Sequence, residues 1–174
     1  MENNPIFYNR LNGILQKRRE LFYKLSEKDI IFVSAEEVAE INRVIMAGYK
    51  GIHGVNRDLL ESAVASAINK YEYKNEKDKI RLGAILMERI IKNHPFVDGN
   101  KRTAIAAMEM FFDANLVKAE MSNDFLYKTA YIVAQNKVTT DELCDRFCSV
   151  LLSHAKEKSE GKAGIAELKT ARSR

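Results

Sequence analysis

Residues 94–103 read His-Pro-Phe-Val-Asp-Gly-Asn-Lys-Arg-Thr, and Ala-Ile-Ala-Ala-Met-Glu-Met-Phe-Phe follows without a break. Pro95 disfavours helical geometry at the residue before it, so the helical pattern leading up to His94 is predicted to stop there. Gly99 permits a tight turn. From Thr103 to Asn115 the only charges are Glu109 and Asp113. Most of that helix is therefore apolar around its circumference, and it is predicted to be buried. A glycine turn opening into a buried helix leaves the first backbone N–H groups without intrahelical partners. The helix dipole, with Lys101 and Arg102 alongside, turns those donors into a predicted phosphate site.

Outward from this stretch the chain reads as helices. Ile80 to Asn93 is rich in Leu, Ile and Met and runs straight into His94. Ser34 with Glu37, and Thr139 with Glu142, have the spacing of capping boxes. Ser122 is placed to cap a helix through Gln135, and Asn115 to close the helix after the turn in a left-handed conformation. Val38, Ile41, Ile45 and Met46 form the buried side of one upstream helix. Gly48-Tyr-Lys-Gly51 ends it, and residues 52–57 read as an irregular connection. Leu59, Leu60, Ala63, Val64 and Ala67 do the same for a helix over 58–68. Residues 6–25 repeat apolar side chains at helical spacing, interrupted by Lys17 to Glu20. Between Asn69 and Lys79 two tyrosines alternate with polar residues, which suggests a short extended ribbon. The sum is an all-α bundle with one short β element. Its parts are an N-terminal helical extension over 1–30, a main domain over 31–155 and a charged tail over 156–174.

A chain of 174 residues makes about one domain with a core of its own. No uncharged run approaches the ~20 residues of a membrane span. Met1 to Phe7 lacks the basic start and apolar stretch of a signal peptide, so a cytoplasmic location is expected. The net charge of +4 resides mostly in the tail, where residues 156–174 hold six Lys/Arg against three Asp/Glu. The remainder has 22 basic and 21 acidic residues, which disfavours a nucleic-acid-binding face. Cys144 and Cys148 sit one helical turn apart with no second pair, so two core-facing thiols are expected rather than a zinc site.

The ten residues from His94 to Thr103 resemble the signature of the Fic/Doc (Fido) family. Lys101 before Arg102 is similar to the death-on-curing (Doc) branch, where Fic adenylyltransferases usually carry glycine. Gly54 to Ala65, Gly-Val-Asn-Arg-Asp-Leu-Leu-Glu-Ser-Ala-Val-Ala, resembles the segment such proteins carry upstream, and the likeness covers about residues 30–150. It implies a Fido helical bundle. It also implies a flap ahead of the motif that aligns a target by strand-like pairing, which would fall at residues 69–79. As a Doc-like toxin the protein would transfer the γ-phosphate of ATP to a hydroxyl side chain of a protein. A translation factor such as elongation factor Tu would be the target, and a separate antitoxin would restrain the enzyme. Fic-type transfer of AMP is the alternative, and a non-catalytic regulatory module is the alternative of another class. Many relatives restrain themselves with a Ser/Thr-x-x-x-Glu-Gly/Asn helix. The nearest stretch here, Ser153 to Glu157, continues into Lys158 and reads as a chance match.

The chemistry of each motif residue fits that picture. A neutral His94 imidazole can take a proton from an attacking hydroxyl at cellular pH. Asp98 offers a hard oxygen to Mg²⁺, which binds through one or two carboxylates plus a nucleotide's phosphates; alone, it is also a good turn residue. Gly99, Asn100 and Lys101 would present backbone N–H groups to phosphate, with the Asn100 amide as a further donor. Arg102 can fork across two phosphate oxygens. Pro95, Phe96 and Thr103 have structural roles: a stop, an inward anchor and a helix-start cap.

Overall fold

The computed structural model describes residues 30–49 and 51–151. Five helices follow in order: α1 Ala35–Tyr49, α2 Arg57–Lys74, α3 Lys79–Asn93, α4 Asn100–Ala114 and α5 Asn123–Ala134. A sixth, α6, occupies 140–151. Among these residues there is no strand, only one isolated antiparallel bridge between Val55 and Phe96, so the fold is all-α. None of these helices is long and apolar enough to cross a membrane. The stripe over 6–25, the stretch over 153–157 and the tail over 156–174 lie outside the described residues.

The apolar run from Ala104 to Phe112, broken only by Glu109, puts α4 at the centre. It packs most extensively on α3 and also touches α1 and α5, and Met108, Met110, Phe111 and Phe112 are buried along it. Each such side chain contributes roughly 1.5–3 kcal/mol by leaving water. The α3–α4 approach is close because Gly83 has no side chain. A Cβ there would stand 2.3 Å from Cε1 of Phe112. The Phe112 ring in turn meets Phe147 of α6 edge-on, with centroids 6.4 Å apart.

Both capping boxes form. Glu37 Oε2 accepts from the Ser34 N–H at 2.8 Å while Ser34 Oγ accepts from the Glu37 N–H at 3.3 Å. Thr139 and Glu142 repeat the exchange at 2.7 and 3.2 Å. Ser122 Oγ accepts from the Phe125 N–H at 3.2 Å and starts α5.

Two expectations are corrected. The ribbon at 69–79 does not exist: α2 runs on to Lys74 and ends at Asn75, which is left-handed with φ 52°. The two tyrosines fit a helix as well as a ribbon. Tyr71 turns inward against the Phe32 ring, with centroids 5.6 Å apart, and Tyr73 stays exposed. The second correction concerns Asn115, whose φ is −101°; the left-handed residue is Leu116, at φ 58°. The Asn115 side chain has a better use. Its Oδ1 accepts from the Ile31 N–H at 2.9 Å, and its Nδ2 donates to the Ile31 and Phe111 carbonyls, both at 2.8 Å. This buried amide clasps the start of the fold to the end of α4. Asn115→Ala would strand those backbone groups, and a loss of about 2–3 kcal/mol is expected in urea unfolding.

Candidate active site

The turn from His94 to Gly99 is built by bonds to a segment distant in sequence as well as by its own residues. His94 closes α3 in the left-handed region, at φ 51° and ψ 54°, and its side chain is exposed. Next to it, the Asn93 amide donates to the Leu59 carbonyl at 3.2 Å. The Pro95 carbonyl accepts from the Asn56 N–H at 2.7 Å, and the Val97 N–H donates to the Gly54 carbonyl at 3.0 Å. Segment 54–56 thereby holds 95–97 flat. Gly54 is needed there, since a Cβ would lie 2.5 Å from Cγ2 of Val97.

Phe96 points inward, 2% exposed, as expected. Its backbone is clamped by Asn100: Oδ1 accepts from the Phe96 N–H at 2.9 Å and Nδ2 donates to the Phe96 carbonyl at 2.7 Å. The same Nδ2 stands 3.3 Å from both ring nitrogens of His94. A single atom equidistant from both nitrogens is not in line with either lone pair. The contact therefore steadies the imidazole. Asn100 acts here as a clamp on the turn and a rest for the ring.

Gly99 follows at φ 82°, where a side chain is strained. A Cβ would also stand 2.4 Å from Cε of Met46 and 3.0 Å from Nδ2 of Asn42. Asn42 is buried on α1 and does two jobs: its Nδ2 donates to the Asp98 carbonyl and to Thr103 Oγ1, each at 3.0 Å. The expectation that Thr103 caps the helix is thereby corrected. Gly99 occupies the N-cap position, and Thr103, one turn further in, uses its hydroxyl to accept from α1.

With glycine at its N-cap, α4 has no side-chain cap. Asp98 Oδ1 accepts from the Gly99 N–H at 2.6 Å, which removes that amide from any anion site. The next intrahelical bond is from the Thr103 N–H to the Gly99 carbonyl. The N–H groups of Asn100, Lys101 and Arg102 are therefore the orphan donors of this helix end. Lys101 is exposed and Arg102 half-buried. Nη1 of Arg102 is the one buried side-chain nitrogen or oxygen among the described residues that lacks a hydrogen-bond partner. Its Cζ lies 4.3 Å from the centroid of the Tyr49 ring.

His94, Asp98, Gly99, Asn100, Lys101 and Arg102 thus share one turn. Sequence reasoning missed Asn42, Tyr49 and the pairing segment 54–56. Asn42 had a signal: a polar residue on a stripe of Val38, Ile41, Ile45 and Met46. Elsewhere, Cys144 and Cys148 are both free. Burial, chiefly, with Cys148 beside it, pushes the Cys144 thiol up to about 12, which leaves it protonated and inert.

The Fic/DOC family model matches residues 32–112, from just before α1 through most of α4 and including the whole turn. Over these residues the chain is similar to the Fic/DOC family, a likeness that suggests a transferase activity of the Fido type. No curated protein matches the chain.

Proposed function

We propose, taking the Fic/DOC match over the turn as premise, that this protein is a Doc-like phosphotransferase. It moves the γ-phosphate of ATP onto a hydroxyl side chain of another protein. The observation that carries the reading is the bare N-terminus of α4 next to an arginine with an unpartnered, buried nitrogen. A buried, unpaired donor costs about 1–3 kcal/mol until something bonds to it, and a phosphate oxygen is the partner that also suits the helix dipole.

His94 takes the proton of the acceptor hydroxyl. The freed oxygen bonds to the γ-phosphorus, the bond from that phosphorus to the bridging oxygen breaks, and ADP departs with the electron pair. Arg102 and the orphan amides of α4 hold the charge on the phosphoryl oxygens, which is where most catalysis of phosphoryl transfer comes from. Among the described residues there is no cluster of three His, Cys, Asp or Glu side chains, so Mg²⁺ would be held by Asp98 together with nucleotide oxygens. Asp98 Oδ2 remains for it after Oδ1 has accepted from Gly99, and the bound ion would neutralise phosphate charge.

Lys101 favours γ- over α-phosphate transfer, because its chain adds bulk and charge where an adenylyltransferase brings the α-phosphate against glycine. The segment 54–56, with Ile52, Val55 and Val97 exposed beside the turn, suits pairing with a target segment, in place of residues 69–79. A translation factor such as elongation factor Tu as target, a separate antitoxin and a cytoplasmic setting complete the toxin reading.

The test is transfer of label from ATP to protein targets with Mg²⁺ present. Label should arrive from γ-labelled ATP and not from α-labelled ATP. Arrival from the α position alone would make the protein an adenylyltransferase instead.

A further inference from the structure

Three residues of α1 approach the turn from one side. Asn42 binds the Asp98 carbonyl and Thr103, Met46 lies under Gly99, and Tyr49 covers Arg102. Their spacing, i, i+4 and i+7, is that of a single helical face. The first two fix the path of the backbone. Tyr49 touches the one side chain in the turn that is buried in part and left without a partner at Nη1.

A guanidinium can be held by a carboxylate or by a ring, and the two have opposite consequences for an anion site. A carboxylate takes the in-plane N–H donors and cancels the charge. An aromatic ring attracts the cation through its face and leaves every in-plane donor free. Among the described residues no ion pair involves Arg102, and the 4.3 Å contact with Tyr49 supplies the second kind of support.

We propose that Tyr49, outside the motif, is a positioning residue for nucleotide binding: its ring fixes the plane of the Arg102 guanidinium and keeps its fork open for phosphate. The proposal rests on the reading of α4's first turn as an ATP-phosphate site. Tyr49 is 58% exposed, so its removal leaves the core intact. The ring matters and the hydroxyl does not.

The experiment measures affinity for Mg²⁺ with a non-hydrolysable ATP analogue by calorimetry on the full chain. It compares wild type, Tyr49→Phe, Tyr49→Leu, Arg102→Ala and the Tyr49→Leu/Arg102→Ala double variant, with thermal melts alongside. Tyr49→Phe should bind within about twofold of wild type. Tyr49→Leu should bind about 5- to 20-fold more weakly at an unchanged melting temperature. The double variant should be no weaker than Arg102→Ala alone. Wild-type affinity in Tyr49→Leu, or the same loss in the Arg102→Ala background, overturns the role of Tyr49 while the phosphate site stands. No binding by the wild type overturns both.

Discussion

Label transfer is expected to fall by a factor of about 10²–10⁴ when His94 is replaced by alanine, the range for losing a positioned proton acceptor. The fold should not suffer, because His94 is exposed and, among the described residues, its side chain hydrogen-bonds only with the Asn100 amide. The backbone is the complication. His94 is left-handed, at φ 51°, and alanine tolerates that region poorly. His94→Asn is the companion variant, since asparagine accepts left-handed geometry far better and cannot serve as the base. Both variants should lose label transfer and growth inhibition together and stay folded by circular dichroism. A variant that keeps the growth phenotype without transfer would identify a binding module rather than an enzyme.

Gly99→Ala should be the most damaging single change in the turn. Left-handed backbone at an alanine costs about 1–2 kcal/mol, and the new methyl group would meet Met46 and Asn42 at 2.4 and 3.0 Å. Met46 has a flexible end and can yield. Asn42 cannot move without releasing the Asp98 carbonyl and Thr103. The expected stability loss is about 2–4 kcal/mol in urea unfolding. Label transfer should drop at least tenfold even at temperatures where the variant is folded, since the first turn of α4 is displaced. Adding Met46→Ala, itself costly because Met46 is fully buried, should shrink the loss due to Gly99→Ala when that loss is measured against Met46→Ala alone, by relieving the closer contact. It should not recover the part due to φ, and a complete rescue would show that crowding alone makes glycine necessary.

The helices and their starts were legible in the sequence because each depends on residues three or four apart. Ser34 with Glu37, Ser122 and Thr139 with Glu142 are local bonds, and the halt before Pro95 is local sterics. Burial of the helix after the turn followed from its apolar run, Ala104 to Phe112, broken only by Glu109. What failed was non-local. Asn115 does close its helix, but not in the left-handed conformation expected, and the use of its side chain was hidden because its partner, Ile31, is 84 residues away. The tyrosines at 71 and 73 satisfied two periods at once, and only the Phe32 ring decided between them. The extended segment that does exist, at Gly54 to Asn56, has no alternating pattern and is fixed by Pro95 and Val97. In the site itself, the residues that carry charge could be named from the motif. Those that aim it, Asn42 and Tyr49, could not, because a helix packed on the turn leaves no mark in the turn's own sequence.

The partnership of α1 with the turn also sets an order of events in time. Tyr49 leaves the ribosome about fifty residues before Gly99, and at ~5–20 residues per second that interval is roughly 3–10 s. Until α4 has emerged and met the α1 face there is nothing to seat a triphosphate, so a nascent chain halted anywhere in that window would be chemically silent.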